Sequence, residues 1–501
     1  MSTLTIPAAN VNDLVARARK AQEAWSRLPV RERLAPVRAI RHMLASEYES
    51  LSDAVARDIG KSAEECIGGD ILPFAEACQF LEKRAKSILA PRRVSSGTRP
   101  LWMFGQVDTI HRRPRGVVGI IGTWNYPLYL NGVQIVQATT AGNAVIWKPS
   151  EVAPSSAMAL IKLIERAGYP KDLVLFMEAT REGGPAMAEA DVDHVIFTGH
   201  ADTGRRLARR LGERLISSTL ELSGLDAEFV LEDADVELAA RAAWFGATMN
   251  RGQTCLAVRR VFVQRAGYPA FCEAMRNLAT GATPVRTALP AAADQANRLV
   301  REAVESGAKL AWDSQKGANE SGTIVPTAVL DARPEMGICR EATFAPVLAV
   351  IPFNTTDEAL TMEAQCQYAL GASVFTSNWS RAQEIAARLR TGSVAVNDVI
   401  ANTAHPGTPF GGRGVSGWGV TQGADGLLEL TIPQVVSHKG GKLRPHFDMS
   451  IDISAGRTKA SHGELMRGLL ESGHAATFGA RFKGLRRVIP AFISAVRNMG
   501  K

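Results

Sequence analysis

Apolar residues recur at helical spacing along roughly the first ninety positions. In the first such stretch Val11, Leu14, Val15, Ala18, Ala21 and Trp25 fall on one face, so residues 11–90 are expected to form helices. Between Pro100 and Pro114 the segment 102–115 (WMFGQVDTIHRRPR) reads as extended and mostly polar. From residue 116 the pattern changes. Short apolar runs at 117–121, 144–147, 173–176, 194–197 and 217–222 alternate with helix-like segments at 128–141, 154–167, 183–190 and 202–214. Strand and helix alternating in this way predict a doubly wound parallel sheet, which binds ligands at the carboxyl ends of its strands. A second α/β stretch follows, with helices expected over 234–249, 292–307 and 379–390 and a strand over 257–263. The Gly-rich residues 392–423 read as loop and 427–436 as a further strand. The boundary between the two halves is placed near residue 222.

Composition narrows the class. Of 501 residues, 46% are apolar and 22% charged, which excludes disordered, collagen-like and coiled-coil chains. At about 100–200 residues per domain, two to four domains are expected. No apolar run reaches the roughly 18 residues of a membrane span. The start, MSTLTIPAANVNDLV, lacks the order of a secretory signal. Six cysteines without a CxxC pair make no disulfide framework, and the expected compartment is the reducing cytoplasm. The net charge of +8 belongs to the tail: residues 438–501 carry 12 Lys and Arg against 4 Asp and Glu, and the remainder balances at 46 of each. The charge therefore does not point to nucleic acid.

Five short segments carry residues suited to chemistry, each beside a plainer alternative. In PRGVVGIIGTWNYP (114–127) Asn125 lies just past a strand end, where its amide suits a developing negative charge. Taken alone it is also ordinary turn chemistry. In GNAVIWKPSEVAP (142–154) Lys148 and Glu151 follow a buried strand; they suit the hydroxyls of a ribose or form a surface ion pair. In FTGHADTG (197–204) Gly199 and Gly204 open a helix whose backbone amides suit a pyrophosphate, although the spacing matches neither GxGxxG nor a P-loop. Glu221, in TLELSG, stands at an apolar strand end. Buried there it becomes a base near neutrality; facing solvent it is an unremarked terminus. Cys255, in NRGQTC, is presented by a polar loop, the setting of a reactive thiol. Cysteines are otherwise small buried hydrophobes, the reading given to Cys66, Cys78, Cys272, Cys339 and Cys366. No metal ligands are expected.

Together and in this order, these segments resemble the NAD(P)-dependent aldehyde dehydrogenase superfamily over roughly residues 11–437. The matching elements are the TWNYP turn, the KPSE turn, the FTG…G loop, the LEL…G strand and the GQ-C loop, with Glu221 and Cys255 separated by 34 positions. TFAPV (343–347), VND (396–398) and PFGGRGVSGWG (409–419) follow. PRGVV…GTWNYP, VNDVI and the PFGG segment look most like the branch containing class-3 and coniferyl-type aldehyde dehydrogenases. The resemblance implies an α/β fold, aldehyde dehydrogenase-like, with two doubly wound parallel-sheet domains and a small oligomerisation strand region. Residues 1–101 and 116–222 would form the NAD-binding domain, 223–422 the catalytic domain, 102–115 and 423–437 the oligomerisation segment, and 438–501 a basic tail. It also implies that Cys255 attacks the aldehyde, that Asn125 and the Cys255 N–H bind the oxyanion, and that hydride passes to a nicotinamide. Glu221 would then activate the water that releases the acid. Cofactor contacts would fall on Ile121, Gly122, Thr123, Trp124, Lys148, Glu151, Thr198, Gly199, Gly204 and Phe344. Glu151 favours NAD, although members of that branch often accept NADP as well. The implied partners are a small aldehyde, apolar to judge from Trp124 and Tyr126 (aromatic or medium-chain aliphatic), and further copies of the chain in a homodimer or homotetramer.

The departures from the family pattern are equally specific. His200 stands where Ser is usual, and LELSGLDA replaces LELGGKSP, with Ser223 for Gly and Ala227 for Pro. Ala342 occupies the place of a ribose-binding Glu, leaving Glu341 as a substitute by register shift. The segment between about 280 and 293 is shortened. In the tail, Phe478, Phe482, Leu485, Ile489, Phe492, Val496 and Met499 recur at alternating spacings of four and three, with arginines largely off that stripe. This predicts a basic amphipathic helix with Pro490 inside it, which either lies on an anionic membrane surface or packs on a subunit. Two rivals to hydrolytic aldehyde oxidation stay open: transfer of the acyl group to CoA, against which Glu221 argues, and a non-catalytic dinucleotide-binding scaffold.

Overall fold

The computed structural model describes residues 11–103, 105–312, 320–440, 451–452, 457–458 and 460–498. The expected N-terminal features before Val11, and Met499 of the tail stripe, lie outside the described residues. By its internal contacts the chain forms two units, one from residues up to 89 with 113–432, the other from 90–112 with 433 onward.

The first unit contains two sheets. The five apolar runs from residue 117 become parallel strands in the order Ser217–Glu221, His194–Thr198, Val117–Ile121, Ala144–Lys148, Val174–Phe176, with Gly417–Trp418 added antiparallel beside Ser217–Glu221. Val117–Ile121 and Ala144–Lys148 are buried along their whole length, as strands covered by helices on both faces must be. Residues 222–225 carry the chain into the second sheet. Its order is Lys309–Leu310, Thr327–Leu330, Val347–Phe353, Val258–Gln264, Asp226–Val230, Gly371–Phe375, Ser393–Val396. All of these strands are parallel except Lys309–Leu310. The predicted loop at 392–423 is therefore corrected at both ends. Ser393–Val396 is the edge strand of the second sheet and Gly417–Trp418 the edge of the first. The predicted strand at 427–436 begins later, because Gly423–Glu429 is helical and the strand runs Thr431–Lys439.

The N-terminal helices pack on the first sheet. Trp25 Nε1 donates to the Thr139 carbonyl at 2.8 Å. One buried contact organises the region further. Lys61 and Asp70 pair at 2.7 Å with side chains 1% and 0% exposed. The other Asp70 oxygen accepts the N–H groups of Leu128 and Tyr129, at the start of helix Tyr129–Ala141. A carboxylate there answers unsatisfied N–H groups and the helix dipole. Lys61 Nζ lies 3.6 Å from the centre of the Tyr126 ring.

The second unit contains a three-stranded sheet in the order Arg92–Arg93, Gln106–Pro114, Thr431–Lys439. Its other feature is a pair of packed helices, Ala460–His474 and Phe478–Asn498. The predicted tail helix is present with Pro490 inside it; its helical partner was not anticipated. Among the described residues no helix is long and apolar enough to cross a membrane.

Lys61→Met strips the positive partner from a fully buried carboxylate. It is expected to lower stability by about 3–5 kcal/mol in denaturant unfolding; a change under about 1 kcal/mol would show that the pair does not hold this region.

Candidate active site

The turn after strand Val117–Ile121 is fixed from within. Thr123 N–H donates to Asn131 Oδ1, and Asn131 Nδ2 donates to the carbonyls of Thr123 and Pro127. Thr123 Oγ1 donates to Asn125 Oδ1 at 2.8 Å, so the Asn125 amide presents Nδ2. That nitrogen donates to the Gln253 carbonyl at 3.0 Å, which uses one of its two hydrogens. Gly122 permits the tight turn, because a Cβ there would lie 2.4 Å from Asn131 Oδ1.

The loop presenting Cys255 is strained. Asn250, Arg251 and Gly252 all have positive φ, at 50°, 56° and 70°, a run that only surrounding contacts can hold. Those contacts are present. Arg251 donates to the carbonyls of Ile59 and Gly60. Asn250 Nδ2 donates to the carbonyls of Asn125 and Gln253. Buried Arg259 donates to the carbonyls of Gly252, Ala345 and Val347. Tyr126 and Thr254 share a hydroxyl hydrogen bond of 2.8 Å, tying the two turns together. A Cβ on Gly252 would lie 2.3 Å from the Ala345 carbonyl carbon.

Glu221 ends its strand between His194–Thr198 and Gly417–Trp418. It is buried, so the solvent-facing alternative does not hold. Oε1 accepts a short hydrogen bond from Thr421 Oγ1, while Oε2 has no partner. Burial pushes the carboxyl up to about 7, against the hydrogen bonds from Thr421 and Thr198. Cys255 is partly exposed, whereas the other five cysteines are buried. Burial of its sulfur, with the Asp226 and Glu221 carboxylates, pushes the thiol up to about 12. The resting site thus holds a protonated thiol beside a carboxyl that titrates near neutrality.

One cleft gathers Thr123, Trp124, Asn125, Thr198, Gly199, Glu221, Cys255 and Phe344, together with His200, Ser223, Gln295 and Ala342. Trp124 and Phe344 meet edge to face at 5.9 Å. Ile121, Gly122, Lys148, Glu151 and Gly204 are not among its lining residues. Lys148 and Glu151 pair at 3.1 Å, but with Lys148 buried this is not the surface ion pair of their plainer alternative. Gly204 is a packing glycine, since a Cβ would meet Leu222 at 2.6 Å. The departures also find places. His200 takes over the capping task, its Nδ1 accepting the Asp202 N–H at 3.2 Å at the head of helix Ala201–Glu213. Glu341 accepts hydrogen bonds from Gln295 and Arg298 and is not among the residues lining the cleft, whereas Ala342 is.

The residues present fit a dinucleotide. Thr198 and Gly199 lead into the helix N-terminus, whose amides suit a pyrophosphate. Lys148 and Glu151 stand at and just past the carboxyl end of Ala144–Lys148, separated from the Thr198 strand by Val117–Ile121, and the Trp124–Phe344 pair offers a wall for a flat ring. No group of His, Cys, Asp and Glu suited to a metal occurs among the described residues. A second cavity shares Cys255, Leu130 and Phe410 with the cleft. Its lining is apolar, including Tyr126, Tyr129, Phe245 and Met249, and Asp398 is its one charged side chain.

The sequence reading missed the residues that hold this geometry: Lys61, Asp70, Asn250, Arg251, Gln253, Arg259 and Thr421. A faint signal existed for some. Asp70 is a lone charge between Ile67 and Ile71, and Arg259 with Arg260 interrupts a strand rich in valine.

Comparison with known proteins agrees with this architecture. The aldehyde dehydrogenase family model matches residues 3–436. A 4,4'-diapolycopene aldehyde oxidase of Methylomonas sp. is 33% identical over 432 residues, covering 84% of this chain and 80% of that protein. A putative succinate-semialdehyde dehydrogenase [NADP(+)] of Mycolicibacterium smegmatis is 32% identical, covering 86% of each. Among solved structures, PnpE from Pseudomonas sp. WBC-3 in complex with nicotinamide adenine dinucleotide superposes with a TM-score of 0.81 at 28% identity, covering 88% of this chain and 92% of its own. With a match spanning nearly all of the chain outside its tail, this protein belongs to the aldehyde dehydrogenase family, enzymes that oxidise aldehydes with NAD or NADP.

Proposed function

We propose that the chain oxidises apolar aldehydes, aromatic or medium-chain aliphatic, to carboxylic acids through a thioester on Cys255, with Glu221 as base and Asn125 as oxyanion donor. One observation carries the reading: the Cys255 thiol, a buried carboxyl with a free oxygen and an amide with a spare N–H line a single cleft. In this scheme the Cys255 sulfur bonds to the aldehyde carbon as its proton passes to ionised Glu221, which releases it to solvent before the hydrolytic step, and the carbonyl electrons move to oxygen. The spare Asn125 N–H and the Cys255 backbone N–H receive that oxyanion. NAD(P)+, when bound, would supply the acceptor for the hydride leaving the substrate carbon, and Cys255 would then carry the acyl group as a thioester. Glu221 takes a proton from water, the water oxygen adds to the acyl carbon, and the C–S bond breaks. Lys148 and Glu151 would serve the adenine ribose, and Thr198 and Gly199 the pyrophosphate. His200 leaves the helix head capped and so compatible with that role. A carboxyl placed to work on water supports hydrolysis rather than transfer to CoA.

The apolar cavity supports the substrate assignment. It holds no Lys or Arg to receive a second carboxylate, and Asp398 would repel one. In this respect the chain differs from what a succinate semialdehyde would require. We also propose self-association through strand Thr431–Lys439, an edge strand that exposes Ile432, Val435 and Val436.

NADH formation from benzaldehyde and decanal, without CoA and with NAD+ and NADP+ separately, tests the scheme. Cys255→Ala is expected to abolish turnover, and Asn125→Ala to lower kcat by about 10²–10³; turnover surviving in the cysteine variant would sink the mechanism. Because Glu221 acts as a base once ionised, kcat should rise tenfold per pH unit below about 7 and level above it. Glu221→Gln should lower kcat and remove that limb, and a limb persisting in the variant would assign it to another group. For decanal, kcat/KM should exceed that for succinate semialdehyde by on the order of 10², the cost of an unpaired carboxylate in an apolar cavity. Equal values would refute the substrate assignment.

A further inference from the structure

The helical pair at the end of the chain has no place in the reaction and lies beyond residue 436, where the family match stops. Its own small core joins Leu465 and Ala491, with Leu469, Val488 and Phe492 against them. A second apolar set faces away from that core. On helix Phe478–Asn498 the residues Phe478, Phe482, Leu485, Ile489 and Ile493 are all exposed, Phe478 by 84%. At 3.6 residues per turn these five fall within about 80° of one another, a continuous stripe rather than scattered exposure. Met466 and Leu470 of the first helix are exposed as well. Isolated exposed apolar residues need no explanation, but a stripe of five on one helix does.

Charge identifies the occupant. Helix Phe478–Asn498 contains five Lys and Arg and no Asp or Glu. In projection Arg481 borders one side of the stripe, and Arg486 and Lys483 the other. Arg486 lies over the Phe482 ring, 5.2 Å from its centre. The two acids of the first helix, Glu464 and Glu471, are both engaged by arginines. A second copy is a poor fit, because a two-fold contact through the stripe would bring its basic margins together. A surface that accepts apolar side chains while offering negative charge along both margins is an anionic bilayer, into which such a helix settles parallel to the plane.

We propose that this helical pair docks the enzyme on anionic lipid surfaces, with the Phe478–Ile493 stripe in the acyl boundary and Arg481, Lys483 and Arg486 at the headgroups. The proposal does not depend on the reaction assigned above. It complements it, because apolar aldehydes concentrate in bilayers.

The test is co-sedimentation of the full chain with vesicles of phosphatidylcholine alone and of phosphatidylcholine with phosphatidylglycerol, at low and high salt. Binding is expected only to the anionic vesicles and should weaken with salt. A triple variant, Arg481→Gln with Lys483→Gln and Arg486→Gln, should lower partitioning roughly a hundredfold. A second variant, Phe478→Ser with Phe482→Ser and Ile489→Ser, should abolish it. Both should oxidise a water-soluble aldehyde at the wild-type rate, which separates lost docking from lost folding. Absence of binding to anionic vesicles at low salt would overturn the proposal, as would binding untouched by both variants. If the apolar variant instead splits an oligomer of a wild type that ignores vesicles, the face belongs to a second copy and the proposal fails.

Discussion

A single buried ion pair sets the position of nearly everything that matters in this chain. Asp70 caps the helix that follows the Asn125 turn, and Lys61 neutralises Asp70 while covering the Tyr126 ring. Tyr126 in turn reaches Thr254, next to Cys255. Just before Lys61 in sequence, the carbonyls of Ile59 and Gly60 anchor Arg251 of the strained cysteine loop. One stretch of about a dozen residues therefore grips both the Asn125 turn and the Cys255 loop. Two charges taken fully out of water are costly, and such pairs persist where geometry has to be unique. Here the uniqueness concerns the mutual placement of two turns from different sheets.

The same economy explains the protonation state of the cleft. Glu221 and Asp226 are both pushed up to about 7 by burial, so the folded chain keeps protons that the unfolded chain would release. Their contribution to stability is complete below the ordinary carboxyl range and is lost as pH rises through about 7. A carboxyl that titrates near neutrality thus comes with lower stability at alkaline pH.

Much of this was legible in the sequence, for a definable reason. Asn125, Glu221 and Cys255 each sit in a short segment whose local pattern marks a strand end or a loop, and the parallel strands announce themselves as continuous apolar runs. What failed depends on distance along the chain. Ser393–Val396 is only half-buried, so its pattern resembled the Gly-rich loop around it. The helix Gly423–Glu429 contains two glycines, which masked its period. Several supports of the site join distant residues, 128 positions apart in Asn125–Gln253 and 200 in Thr421–Glu221, and no local pattern encodes such a pairing. His200 looked like a defect in the sequence because the imidazole can replace a serine cap only through a nitrogen whose direction the backbone decides.

The distribution of sulfur has a further consequence. Five of the six cysteines are sealed in the interior, and Cys255 alone is partly open to solvent. Oxidants and electrophiles that enter the cleft meet one cysteine, and it shares that cleft with Glu221. Under the reaction proposed above, modification of Cys255 would stop turnover without touching the five cysteines of the interior. Loss of activity and loss of protein become separate events, and only the first is open to chemical reversal.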